Sequence, residues 1–308
     1  MEKNIDNNRV LNVALIVLAI FVLVLGIVIA FKQLGNKGKE KDLKTEETSD
    51  VIIYDEEIKI DASLATQPLV DAYVEGLNNF NITKEYSNTD PAYTKLINGE
   101  VDLIIVTQPS EDAKLRAEKA NVEYELVPVV NEGFVFYTNV NNKVNSLKLS
   151  DVQKIYTGEI TNWKKLGGDD SEIIAYQRPA TSGSQTGMMN MVMKNLKIKK
   201  PRTEEYVESM AGIIDIVSNY DNGKDAIGYS YYYYATTMYG NDRMKFFAID
   251  GVTPTHETIK NETYPLITSY YIVTLKGNNK EVVKKLIDEM LSSRGQKIAK
   301  EAGYVELG

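Results

Sequence analysis

The residues best suited to chemistry are gathered in one segment, Gln177-Arg178-Pro179-Ala180-Thr181-Ser182-Gly183-Ser184-Gln185-Thr186-Gly187, which concentrates hydroxyls, glycines and a single arginine. It joins an apolar run, Ile173 to Tyr176, that reads as a strand to a Met-rich stretch that reads as a helix. A strand-to-helix turn of this kind can hold an anion. The first N–H groups of a helix lack carbonyl partners, its dipole favours negative charge there, a glycine permits close approach, and serine hydroxyls add donors. Arg178 supplies a planar, permanently charged fork suited to tetrahedral oxyanions. The same residues could instead cap a helix and turn a corner while Arg178 pairs with a surface acid.

Three more turns share this character. Asp61-Ala62-Ser63-Leu64-Ala65-Thr66-Gln67-Pro68 leads from a strand into a helix, Ser87-Asn88-Thr89 precedes a helix opened by Pro91, and Thr107-Gln108 follows a strand ending at Val106. For each alone, helix capping is the simpler role. Together they make donor-rich turns with few fixed charges.

The elements that must position these turns alternate between strand and helix. Ile58 to Ile60 reads as a strand, and the helix opened by Pro68 sets Leu69, Tyr73 and Leu77 on one face. The Pro91 helix carries Tyr93, Leu96 and Ile97, stops at Gly99, and leads into the buried-type strand Leu103 to Val106. Leu126 to Val130 and Phe134 to Tyr137 read as two strands, and Ser150 as the cap of a helix that Gly158 ends. Ile272 to Leu275 is a closing strand before one long helix, Val282 to Ala299. This order predicts α/β lobes with parallel-rich sheets and a ligand at the carboxyl ends of strands.

Composition removes many other functions. The chain of 308 residues carries 43 acidic against 35 basic side chains, a net charge of −8, which is no footprint for nucleic acid. It has no cysteine, so disulfides, thiolate metal sites and cysteine nucleophiles are excluded. His256 is the single histidine and lies in a polar stretch suited to solvent exposure. No S-x-x-K or G-x-S-x-G arrangement is present. No enzyme, cofactor or metal is expected.

The amino-terminal region is organised differently. After a short tail, residues 1–12, the run Val13 to Phe31 is apolar throughout apart from Gly26 and roughly matches a hydrocarbon layer of ~30 Å. Signal peptides have apolar cores of about 7–15 residues, so we read an uncleaved single-pass anchor. Residues 32–50, rich in Lys, Glu, Gly and Thr, read as a flexible tether. Lys32, Lys37, Lys39, Lys41 and Lys44 follow the span while only Lys3 and Arg9 precede it, and by the positive-inside tendency that distribution opposes export. Residues 51–308 exceed a typical single core of about 100–150 residues, which predicts two lobes.

Three segments carry a family resemblance: Asp61 to Leu69, Ser87 to Ser110, and Ser150 to Gly187 with Ile155-Tyr156-Thr157-Gly158-Glu159-Ile160-Thr161-Asn162-Trp163 inside it. They resemble the phosphate-binding substrate receptors of ABC-type phosphate transporters, as do Ala226-Ile227-Gly228-Tyr229 and Tyr264-Pro265-Leu266. The resemblance implies an α/β, two-lobed type II periplasmic-binding-protein fold with a hinge, here preceded by one transmembrane helix. Lobe 1 would comprise about 51–135 plus 264–308, and lobe 2 about 136–263. It further implies a monomer on the extracellular side of the cell membrane, capturing inorganic phosphate or a related oxyanion for permease subunits. Ser63, Leu64 and Ala65 (the last two through backbone N–H), Thr89, Arg178, Ser182, Gly183 and Ser184 match its oxyanion-binding positions.

Two departures from the pattern bear on selectivity. Leu64 stands where the family has a hydroxyl, and Thr107 and Gln108 stand where it has an acid before a proline, so both join the expected ligand set in the acid's place. A carboxylate there would accept the proton of hydrogen phosphate and repel sulfate. Without it, weaker discrimination between the two is expected unless Asp61 or Asp90 substitutes. The other reading that these departures allow is a sensor or interaction module that has lost transport. Tyr229 and Tyr231 to Tyr234 read as a partly buried strand near an interlobe hinge, and Met188, Met189, Met191 and Met193 as core filling.

Overall fold

The computed structural model describes residues 52–219 and 223–308, so the tail, the apolar run Val13 to Phe31 and the tether 32–50 lie outside the described residues. Among the described residues no helix is long and apolar enough to cross a membrane.

The chain opens with β1 (Tyr54–Ala62), α1 (Gln67–Gly76), β2 (Phe80–Tyr86), α2 (Thr89–Ile97), β3 (Leu103–Val106) and α3 (Glu111–Lys119). Both β2 and β3 pair with β1 in parallel. β3 is buried throughout, with Leu103 and Ile105 facing one apolar cluster and Ile104 and Val106 another, so helices cover both sheet faces. α3 has no counterpart in the sequence reading because its buried face is only Ala113 and Ala117. It is defined instead by Ser110, whose hydroxyl accepts the Ala113 N–H at 3.1 Å.

Next come β4 (Tyr124–Asn139), β5 (Ser146–Leu147), α4 (Leu149–Thr157), β6 (Ile174–Ala175), α5 (Gly183–Gly187), α6 (Met210–Asn219), β7 (Ala226–Tyr231), β8 (Met244–Phe246), β9 (Ala248–Ile249), α7 (His256–Lys260), β10 (Ile267–Leu275), α8 (Glu281–Leu291) and α9 (Ser293–Glu301). α4 begins at Leu149, not after Ser150, with the Asp151 carboxylate accepting the Lys148 N–H at 3.1 Å. Gly158 ends it in the left-handed conformation (φ 84°). α5 runs directly into a π-helical turn, Met188–Met193, in which Met188 and Met193 are buried.

Several expectations need correction. The two strands expected at 126–130 and 134–137 are one sixteen-residue strand, β4, because pairing is continuous across the charged break at Glu132. The single carboxy-terminal helix is two, broken at Ser292 (ψ 165°), whose hydroxyl caps α9 by accepting the Gly295 N–H at 3.2 Å. The tyrosine strand stops at Tyr231, and the chain coils into a π-helical turn, Tyr234–Met238.

The main sheet runs β2-β1-β3-β10-β4-β7-β6, with β8 also on β4. β4 changes partner midway. From Tyr124 to Gly133 it pairs antiparallel with β10, and from Phe134 onward with β7 and β8. At the change, Phe134 donates its N–H to the Leu266 carbonyl at 2.9 Å, so both chain crossings between the two halves of the sheet meet at one place. In the first half β1, β2 and β3 are parallel and end on one edge; in the second, β6 and β7 are parallel and likewise end together. The donor-rich turns leave from those carboxyl edges.

Candidate ligand-binding cleft

A cleft of about 350 Å³ is lined by Ser63, Leu64, Ala65, Asn88, Thr89 and Thr107 from the first half, and by Arg178, Ser182, Gly183, Ser184, Glu208, Ser209, Met210, Tyr231 and Tyr234 from the second. Parallel strands account for the convergence: β1 delivers Ser63, β2 delivers Asn88 and Thr89, β3 delivers Thr107, and β6 delivers Arg178.

Around Ser63 the local bonding leaves donors free. Thr66 turns its hydroxyl to the Ile105 carbonyl at 2.5 Å and its N–H to the Ser63 carbonyl at 3.0 Å, which pins the turn to the end of β3. Among the described residues no acceptor meets the Leu64 and Ala65 N–H groups. Ser182 caps α5 by accepting the Gln185 N–H at 3.1 Å, which leaves the Gly183 and Ser184 N–H groups without a carbonyl among the described residues.

Gly183 marks where the two sides touch. A Cβ there would lie 2.6 Å from Thr107 Oγ1 and 2.7 Å from Thr89 Oγ1, so only a glycine allows this approach. Tyr231 lies beside Thr107 but donates to the Gly183 carbonyl at 2.9 Å. Thr107 Oγ1 is left buried with no hydrogen-bond partner among the described residues.

Arg178 is held by its backbone, whose N–H reaches Tyr229 Oη at 3.1 Å and Gln185 Oε1 at 3.3 Å. Its Nε and Nη1 are buried and meet no acceptor, and it forms no ion pair among the described residues. Burial pulls its pKa down, which the nearby Tyr229 and Tyr137 hydroxyls oppose. An arginine stays charged in proteins, so Arg178 is a cation with no carboxylate paired to it among the described residues.

The acids named as substitutes are committed elsewhere. Asp61 is fully buried and accepts the Ala62 N–H at 2.7 Å and the Ser87 N–H at 2.9 Å, with Lys95 Nζ 3.4 Å from its second oxygen. Asp90 pairs with Arg116 at 2.6 Å. Gln108 is a correction to the expected ligand set: it does not line the cleft, and its amide donates to the Tyr271 hydroxyl at 3.2 Å. Conversely, sequence reasoning missed Asn88, Glu208, Ser209, Met210, Tyr231 and Tyr234 as cleft residues. Ser209 had a usable signal, since it precedes an amphipathic helix and caps it by accepting the Gly212 N–H at 2.9 Å. Among the described residues no cluster of acids or histidine has the number to hold a metal ion.

Two half-sheets whose carboxyl edges face one another across donor-rich turns, with Arg178 between them unpaired among the described residues, give the two-lobed architecture of a periplasmic-binding-protein-like fold. The PBP superfamily domain model matches residues 54–294, and the chain belongs to this family. Among its relatives, the phosphate-binding protein PstS of Bacillus subtilis (strain 168) is 25% identical over 276 residues, covering 88% of this chain and 87% of that protein. PstS of Staphylococcus aureus (strain bovine RF122 / ET3-1) is 27% identical over 267 residues, covering 81% and 78%. In fold, the chain is similar to an ABC-type phosphate transport receptor from Vibrio cholerae, with a TM-score of 0.64, 21% identity and coverage of 82% and 100%.

Proposed function

We propose that this protein is the substrate-capturing receptor of an ABC-type transporter and that it binds inorganic phosphate or a closely related oxyanion in the cleft. The observation that carries the reading is Arg178, whose buried Nε and Nη1 have no acceptor and no carboxylate beside them among the described residues. A bound oxyanion supplies both the acceptor and the charge. The relatives named as phosphate-binding proteins support the same ligand class.

In this reading Arg178 forms the charge-assisted contact and Ser63, Thr89, Thr107, Ser182 and Ser184 offer hydroxyls. Leu64, Ala65, Gly183 and Ser184 offer backbone N–H groups at the starts of helices, where dipole and free donors act together. The two lobes meet at the partner change of β4, with residues to about 132 and from about 267 in one and the middle in the other. Rotation there opens and closes the cleft. The run Val13 to Phe31 anchors the receptor and holds its body outside the cell, within reach of the permease.

Thermal melting of the full chain against a panel of anions tests the function. Phosphate at ~100 times its dissociation constant should add about 2.7 kcal/mol of stability. No shift with any oxyanion would sink the reading.

A further inference from the structure

Leu64 is out of place in a site for a bare oxyanion. Its side chain is 49% exposed, yet it stands between Ser63 and Ala65 in the wall of a cleft built from hydroxyls and N–H groups. A tetrahedral oxyanion has only oxygens to set against it. Met210 lines the same cleft, as does Glu208, which is the one carboxylate among the described lining residues and has no ion pair or hydrogen bond among the described residues. Glu208, Ser209 and Met210, which lead into α6, line the same cleft as Arg178 and Tyr234.

The space agrees with a larger ligand. An oxyanion of five heavy atoms fills roughly the room of two or three waters at about 30 Å³ each. That is well under half of a 350 Å³ cleft whose two sides already touch at Gly183. Charge points the same way. A free carboxylate across the same cleft from an anion site repels a bare dianion, and it attracts a ligand that carries its own cation.

We propose that the cleft takes a phosphate monoester or phosphonate whose short carbon arm ends in an ammonium group. The phosphoryl oxygens sit on Arg178 and the Ser182 to Ser184 turn, the arm covers Leu64 and Met210, and the ammonium meets Glu208. This inference rests on the oxyanion-receptor reading of the same site and narrows its ligand.

Calorimetric titration of the full chain with inorganic phosphate, ethyl phosphate and 2-aminoethyl phosphate tests it. An exposed ion pair is worth up to about fivefold in affinity, so at low salt the aminoethyl ester should bind about fivefold tighter than the ethyl ester. In Glu208→Gln the two esters should bind alike, while inorganic phosphate, relieved of repulsion, binds somewhat tighter. Leu64→Ser should weaken ethyl phosphate more than inorganic phosphate. Equal affinity of the two esters for the unaltered protein, or a preference that survives in Glu208→Gln, would overturn the inference. So would binding of inorganic phosphate with neither ester bound. Failure of all three anions would instead overturn the receptor reading beneath it.

Discussion

The carboxylate of Glu132 accepts the backbone N–H of Tyr233 at 3.2 Å from the point at which β4 changes partner, and it accepts the Gly133 N–H at 2.9 Å as well. One buried acid therefore ties the long strand to the segment that follows β7. Among the described residues Glu132, 1% exposed, has no hydrogen-bond partner for its Oε2, and the groups around it are the phenols of Tyr231, Tyr233, Tyr270 and Tyr304, with no cation.

Burial pushes the Glu132 pKa up to about 8 from the ordinary 4.5, against the N–H groups that stabilise the anion. Between those values the folded protein holds a proton that the unfolded chain releases, so stability is greatest below about 4.5 and falls as pH rises through about 8. The slope reaches about 1.4 kcal/mol per pH unit at most. Chemical denaturation from pH 5 to 8 should show this decline, and Glu132→Gln should flatten it. Parallel curves for the two proteins would assign the slope to other groups.

Arg178→Ala should reduce oxyanion affinity by a factor of at least ten, since a hydrogen bond to a charged group is worth about 1.5–3 kcal/mol. The ligand-free protein should not lose stability, because the variant removes a buried cation whose Nε and Nη1 have no partner among the described residues. A lowered melting point with affinity retained would make Arg178 a structural residue.

Gly183→Ala places a methyl group against the Thr89 and Thr107 hydroxyls. Overpacking of this kind costs about 1–3 kcal/mol, and the lobes escape it by staying apart. We expect weaker phosphate binding and, in small-angle scattering, a particle that no longer compacts when phosphate is added. Ligand-induced compaction equal to that of the unaltered protein would rule out this contact as part of closure.

Sulfate should compete with phosphate. Thr107 ends β3 in the cleft with a hydroxyl and no carboxylate, Asp61 and Asp90 are held by other partners, and a hydroxyl can donate to either anion. In competition titrations at neutral pH, sulfate in about thousandfold excess should displace phosphate, because the repulsive element that specificity requires is missing from the strand end. Phosphate that stays bound would give Glu208 the role of proton acceptor.

The donor-rich turns and most of the elements between them are legible along the chain. Pro68 opens a helix, Pro91 lies in the first turn of one that starts earlier than expected, at Thr89, Gly158 closes another, Leu103 to Val106 reads as a strand buried on both faces, and Ser182-Gly183-Ser184 offers free donors at a helix start. These are local matters, decided by the conformational limits of proline and glycine and by bonds within one turn of helix. Which turns meet is set by long-range strand pairing. Parallel registry of β1 with β2 and β3, and of β6 with β7, brings Ser63, Thr89, Thr107 and Arg178 to facing edges, and that registry depends on partners far apart in the chain. The same non-local pairing turned Gln108 to Tyr271, joined two expected strands into β4, brought Glu208 to the cleft and buried Glu132 among phenols. A carboxylate's role depends on what surrounds it, and no spacing along the chain records that environment.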